Sequence, residues 1–400
     1  MDLIGGNLYW PTTLHQTKKY EPLNEDISCD FLIIGSGSSG SQSAYLLSQS
    51  DAKVVLVDKR KIGHGSTSGN TGLLQYSNDK PLHSFINSFG NENGVRFYRM
   101  CADAIQGLEK MSKTLPIDPE FTPRSSLYYA SSSEDVQFIN KEYEALAENH
   151  FPVQFLTKED IKNKFHFEKD CALYTGGDAE INPFKFVNGL IQYASENGVQ
   201  IYEDTEIVNS ITTEDGVTLF TKNKQKINAK KVIIAAGYEA MDLKKEKNAI
   251  LSTSFALATD PIIEKNAWFE NCLIWETARP YLYIRRTLDK RIIIGGLDEF
   301  TIIPEKRNSM LIHKKELLLQ KLGELFPQYK NAKAEFGWGA IFGGTHSGKP
   351  MIKEYKEFPN CYFLMGYGGN GTVYSYALAN TMVDLLLKGK SANLELFKQE

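Results

Sequence analysis

Short apolar runs recur along the chain, separated by polar, glycine-rich turns. Phe31 to Ile34 and Lys53 to Val57 each read as a strand, and Ala44, Leu46 and Leu47 between them form a helix face. Residues 30–59 therefore predict strand, turn, helix, strand. "CYFLM", residues 361–365, reads as another strand leading through a glycine loop into a helix. Residues 91–154 predict a helix, the strand "SSLYYA" and a second helix, whereas residues 251–334 carry "TSFALAT", "YLYIRRT" and "RIIIGG" between turn-like connections. Residues 1–25 show no such pattern and predict an irregular arm over the surface.

The first of these units carries chemistry. Gly35, Gly37 and Gly40 form G-x-G-x-x-G at the point where strand becomes helix. The first glycine allows the tight turn, the second lets backbone approach a pyrophosphate, and the third lets helix pack close to strand. The helix start then offers free N–H groups and the positive end of its dipole to phosphate. Asp58 lies 23 residues after Gly35, where a carboxylate can accept hydrogen bonds from an adenosine ribose. The unit predicts a dinucleotide cradle.

Composition narrows the partners. Four hundred residues predict two domains, with three as the alternative, and a net charge of −4 with 24% charged residues argues against a nucleic-acid binder. The lysines at 222, 224, 226, 230 and 231 flank a turn and predict a solvated hairpin. No apolar run is long enough to span a bilayer and the first residues lack a secretory signal, so a cytoplasmic protein is expected, with no membrane partner. The five cysteines lie 70 or more residues apart and the seven histidines show no ligand spacing, so neither disulfides nor a metal is expected. "GGTHSGKP" falls one residue short of a phosphate-binding P-loop and has Pro350 where the magnesium-binding hydroxyl belongs; it predicts a turn between strands.

After the first unit, "GHGSTSGNTGLLQY" is rich in small and hydroxyl residues rather than opening a second strand–helix repeat. Here the chain resembles the D-amino-acid oxidase superfamily of FAD enzymes, the group that includes glycine oxidase and sarcosine oxidase. "GSTSGNTGLL" looks like that family's flavin-contacting loop, and "TGGDAEINPFKFVNGLIQYASENGVQIYEDTEI" like its segment ending in an adenine-contacting strand. "KVIIAAG" resembles the strand closing the nucleotide domain, and "GYGGNG" with the last helix resembles the C-terminal flavin loop.

The resemblance implies an α/β fold. An FAD-binding Rossmann-like domain of the glutathione-reductase type (residues 1–90, 155–250 and 335–400) would be interleaved with a substrate domain on a mixed, largely antiparallel sheet (residues 91–154 and 251–334). It implies FAD contacts at Gly35, Gly37, Ser38, Ser39, Gly40, Asp58, Lys59 and Arg60. Further contacts would come from Ser66, Thr67, Ser68, Gly72, Leu73 and Leu74, and from Val208, Ala236 and Gly237. Gly368, Gly369, Asn370, Gly371 and Thr372 would complete the set. Some relatives tether the flavin through a cysteine near the segment matching residues 340–350; this chain has none there, so the FAD is expected to be non-covalent.

The implied reaction moves a hydride from a C–N bond of a small amine or amino-acid derivative to flavin N5, giving an imine that hydrolyses, with oxygen or another acceptor taking the electrons. The alternatives are oxidation of a 2-hydroxy acid and a flavin-bound redox sensor without turnover. The arginines with which relatives hold a substrate carboxylate have no counterpart in "GWGAIFGGTHSGKP" or "GYGGNG". Strand alternation puts Tyr281, Tyr283 and Arg285 on one face, so Tyr283 and Arg285 are candidates to line the substrate pocket, with Arg285 as the anion anchor. Gln75, Phe342 and Tyr367 are further candidates from their places beside the flavin loops.

Overall fold

A computed structural model describes residues 1–263 and 267–398. Residues 264–266 and 399–400, which the expected domain ranges include, lie outside the described residues. Two sheets organise the chain. In the first, the strands Cys361–Met365, Lys226–Ile234, Ile27–Ile34, Val54–Val57 and Gln200–Tyr202 are parallel neighbours in that order. Val54–Val57 and Cys361–Met365 are buried at every residue, as strands covered on both faces must be. Each such side chain contributes roughly 1.5–3 kcal/mol by leaving water. The helices Pro183–Glu196 and Gly371–Lys388 both pack on the helix Ser38–Leu47. The lysine-flanked turn lies between the antiparallel strands Val217–Thr221 and Lys226–Ile234, as expected.

The second sheet has ten strands and is mainly antiparallel, with Thr122–Tyr129 and Leu273–Glu276 as a parallel pair. Its strands Ala249–Thr259, Tyr283–Arg286 and Ile292–Glu299 fall on the three apolar runs read from the sequence, with Tyr281 and Leu282 preceding the middle strand. In "GGTHSGKP" the first three residues end the strand Ala334–Thr345, and residues 346–350 turn toward the strand Met351–Glu354.

The strand pairing crosses several of the expected ranges. Val153–Thr157, Cys171–Glu180 and Ala334–Thr345 belong to the ten-stranded sheet, although residues 155–250 and 335–400 were expected to serve the nucleotide domain. The physical reason is that a strand joins whichever edge its backbone can reach, and sequence pattern does not name the edge. The first residues are likewise no irregular arm. Ile4–Asn7 adds a strand antiparallel to Ala334–Thr345, and Trp10 is fully buried beside it. An open edge of the sheet is covered by that pairing.

Candidate functional site

One cavity of about 400 Å³ is lined by residues of both sheets. On the parallel sheet it begins at the glycine turn. Gly35 has φ +106°, and a Cβ there would lie 2.4 Å from the Ala235 carbonyl oxygen. A Cβ on Gly40 would lie 1.8 Å from the Gly35 carbonyl oxygen, so helix and strand meet at a separation only glycine permits. Gly35, Gly37, Ser38 and Ser39 line the cavity, whereas Gly40 sits behind them as a spacer. The helix Ser38–Leu47 has no side-chain cap, and neither does Gly371–Lys388, whose first residues Gly371, Thr372 and Ser375 also line the cavity. Two helix starts without a cap from their own N-cap residue thus open on one space, a seat for negative charge, although the Ser38 N–H also reaches the Thr67 hydroxyl at 3.2 Å.

Asp58 lines the same space. Its Oδ2 accepts from the Ser36 N–H and hydroxyl, each at 2.7 Å, and its Oδ1 from the Arg60 N–H at 2.8 Å. Burial raises this carboxyl above its usual range while those hydrogen bonds pull it back. Lys59 and Arg60 line the cavity as well, but both are committed to Glu239, at 3.0 and 2.7 Å.

The loop after the second parallel strand contributes Ser66, Thr67 and Leu73. Ser68, Gly72 and Leu74 do not line the cavity: Ser68 turns its hydroxyl to the Gly65 carbonyl, Gly72 accepts from Arg285, and Leu74 joins the apolar core. Val208 is a further correction, since it is 58% exposed while Thr205, Glu206 and Ile207 before it reach the cavity. Ala236, Gly237, Gly368, Gly369 and Asn370 are all at the cavity wall. Asn370 donates to the Ser77 carbonyl at 2.6 Å, and Gly368 N–H to the Gly343 carbonyl at 2.7 Å, which fixes the last loop against its neighbours.

Among the substrate candidates, Gln75, Tyr283, Phe342 and Tyr367 line the cavity. Gln75 donates through Nε2 to the Ser126 hydroxyl at 3.1 Å, and Ser126 donates to buried Asp178 at 2.6 Å. Asp178 also accepts from the Tyr76 N–H and the Thr175 hydroxyl. Burial pushes its carboxyl up to about 7 despite these bonds.

Arg285 is not at the cavity wall. It is 1% exposed, donates to the carbonyls of Gly72 and Ile181 at 2.9 and 2.8 Å, and holds Nε 3.5 Å from Glu180. Its guanidinium lies 5.5 Å over the Trp10 ring. It shares a strand face with Tyr283, but two residues further along that face is covered by the flavin-type loop, whose Gly72 carbonyl takes the guanidinium in place of the cavity.

Sequence reasoning missed Asp79, Trp275 and Asp298, and used Tyr281 only as a neighbour; all four line the cavity. Asp79 accepts from the Tyr281 hydroxyl at 2.8 Å and from the Gly369 N–H at 2.9 Å, so it ties the second sheet to the last loop. The Trp275 and Tyr281 rings meet edge to face at 6.1 Å, and Tyr281 and Tyr283 lie 5.9 Å apart. An acid directly after the flavin-type loop, "SND", was the only local signal available.

A glycine turn, a carboxylate at the next strand end and a second glycine loop on one cavity define a dinucleotide-dependent oxidoreductase. Residues 30–385 match the family described as FAD dependent oxidoreductase, and the chain belongs to that family. It is 24% identical over 404 residues to gamma-glutamylputrescine oxidoreductase of Escherichia coli, covering 97% of this chain and 90% of the relative. It is 22% identical over 380 residues to glycine oxidase of Geobacillus kaustophilus, covering 91% and 94%. The crystal structure of that glycine oxidase superposes with a TM-score of 0.79 at 19% identity, over 93% of this chain and 99% of the other. L-proline dehydrogenase from P. horikoshii gives 0.75 at 19% identity, over 93% and 96%. These two structures share the fold. The cofactor is FAD, and the uncapped helix starts, the glycine spacing and Asp58 fit its two phosphates and ribose.

Proposed function

We propose that the protein oxidises a C–N bond of an amine or amino-acid derivative. FAD supplies the acceptor for the hydride leaving the carbon next to nitrogen. The substrate loses that hydride and a proton to become an imine, water hydrolyses the imine to a carbonyl compound and an amine, and oxygen or another acceptor takes the two electrons. The residues at the nucleotide end would be Gly37, Ser38, Asp58 and the loop at Ser66 and Thr67. Those beside the substrate would be Gln75, Tyr283, Phe342 and Tyr367.

The observation that carries the reading is the charge of the cavity wall. Its only basic lining residues, among the described residues, are Lys59 and Arg60, both engaged by Glu239. The wall opposite carries Asp298 from the strand Ile292–Glu299 and Asp79 from a loop instead. A 2-hydroxy acid or a free α-amino acid needs an anchor for its carboxylate, and a carboxylate beside Asp79 and Asp298 would be repelled. The names of the E. coli and Geobacillus relatives, each acting on an amine or an amino acid, support the same bond. Anaerobic mixing with amines, amino acids and 2-hydroxy acids tests it: amines should bleach the flavin absorbance. Bleaching by hydroxy acids alone would replace the reading.

A further inference from the structure

We infer that the substrate carries a second, protonated nitrogen besides the one oxidised, and that Asp298, with Asp79, holds it against the ring wall of Trp275, Tyr281 and Tyr283. This rests on the C–N reading above and names the substrate class within it.

Among the described residues, neither Asp79 nor Asp298 has an ion-pair partner. The neighbouring cations are used elsewhere. Lys314 is paired with Glu299, and Arg279, which lies over the Tyr281 ring, donates to the carbonyls of Glu276, Thr277, Ala278 and Asp79 and does not line the cavity. Burial and, after it, the charge of Asp79 raise the Asp298 carboxyl above its usual range, against the pull of Ser254. The nearest cation acting on Asp298 is Lys314, which is itself paired with Glu299, so two carboxylates close enough to feel each other in a half-dry space are only partly compensated, and an ammonium would complete the balance.

The three rings are an independent sign of the same ligand. Trp275, Tyr281 and Tyr283 form a continuous aromatic wall at the cavity, and aromatic faces beside carboxylates attract alkylated cations while repelling anions. The cation cannot be the reacting nitrogen. An amine must be neutral to release a hydride from its neighbouring carbon, and two carboxylates would hold it protonated. The chemistry that satisfies both ends is a diamine, or an amine with a remote ammonium group.

The holoenzyme tests this with a probe that cannot react. Tetramethylammonium chloride should perturb the flavin spectrum with an affinity at least about tenfold above that of its neutral near-isostere, tert-butyl alcohol, while acetate should not compete. Asp298→Asn should lower that preference roughly tenfold to a hundredfold, and Asp298→Glu should restore part of it. Equal binding of the cation and the alcohol would overturn the inference, and this comparison on the unaltered protein decides it even where a variant fails to fold. In anaerobic bleaching, 1,4-diaminobutane should outrun butylamine, and 4-aminobutanoate should be slowest. If tetramethylammonium binds as stated while no C–N compound bleaches the flavin, cation recognition holds and the proposed reaction falls. If monoamines bleach as fast as diamines and the cation does not bind, the reaction holds and this inference falls.

Discussion

Arg285 shows what one side chain's surroundings decide. Strand alternation gives the face of a residue but not the depth of the wall it meets, so an arginine beside two cavity tyrosines reads as an anchor. The structure surrounds it instead with the carbonyls of Gly72 and Ile181, with Glu180 and with Trp10. Arg285→Met would leave Glu180, already bonded to Arg124 at 2.9 Å, with less compensating charge and free two carbonyls under the flavin loop. We expect a loss of about 3–5 kcal/mol of stability and a lower flavin-to-protein ratio, read by urea unfolding and visible absorbance. A stable, fully flavinated variant with weakened substrate binding would return Arg285 to the anchor role.

Asp178 gives a pH dependence. Its carboxyl is raised from the ordinary value to about 7 by burial, so the folded protein holds a proton that the unfolded chain releases near pH 4. The sign follows from linkage: the contribution is fully present below the unfolded value, declines as pH rises, and is lost above about 7. Unfolding free energy should therefore fall by roughly 1.4 kcal/mol per pH unit from this group between about pH 4 and 7. Asp178→Asn should flatten that slope in denaturant titrations at several pH values. An unchanged slope would assign the effect elsewhere. None of this was legible in the sequence, where Asp178 is one acid in "TGGDAE" and its partners Ser126 and Tyr76 stand in other segments.

At the scale of elements, the strand–turn–helix unit at residues 30–59 was legible because everything that specifies it is local: apolar runs, glycines and a strand-end acid. Its tolerance is correspondingly small. Gly40→Ala would press a methyl group into the Gly35 carbonyl oxygen, backbone against backbone, and the helix would have to move off the strand. We expect a cost of about 1–3 kcal/mol and a protein purified with little FAD, measured by melting temperature and flavin content. Full flavin content would show that the close approach is dispensable. The aromatic and acidic wall was not legible for the opposite reason. Asp79, Trp275, Tyr281 and Asp298 come from segments that sequence pattern does not bring together: strand pairing aligns Trp275 and the strand of Asp298 on either side of Tyr283–Arg286, and a side-chain hydrogen bond joins the loop residues Asp79 and Tyr281.

Across the whole molecule, the cavity lining among the described residues contains neither cysteine nor histidine, and the five cysteines are buried away from it. That supports the expectation of a dissociable FAD. Acid precipitation should leave the yellow colour in the supernatant; a yellow pellet would refute it. The two-sheet organisation was legible in outline from the order of motifs, but the allocation of strands between the sheets was not. Val153–Thr157, Cys171–Glu180 and Ala334–Thr345 carry ordinary strand patterns that say nothing about which sheet edge receives them.

The pairing of Ile4–Asn7 with Gly337 to Ala340 also sets a timetable for biosynthesis. A ribosome releases the strand Ile4–Asn7 long before its partner exists, and until then that strand has no edge to pair with, although Trp10 beside it can already reach the Asn70 carbonyl in the flavin loop. Contacts so distant in sequence make folding slow and leave a sticky intermediate exposed while the chain grows. Refolding from urea, followed by tryptophan fluorescence, should therefore take seconds or longer with a populated intermediate, and a single millisecond phase would contradict it. The flavin cavity is then complete only once Gly366 to Thr372 and Ser375, which line it, have emerged.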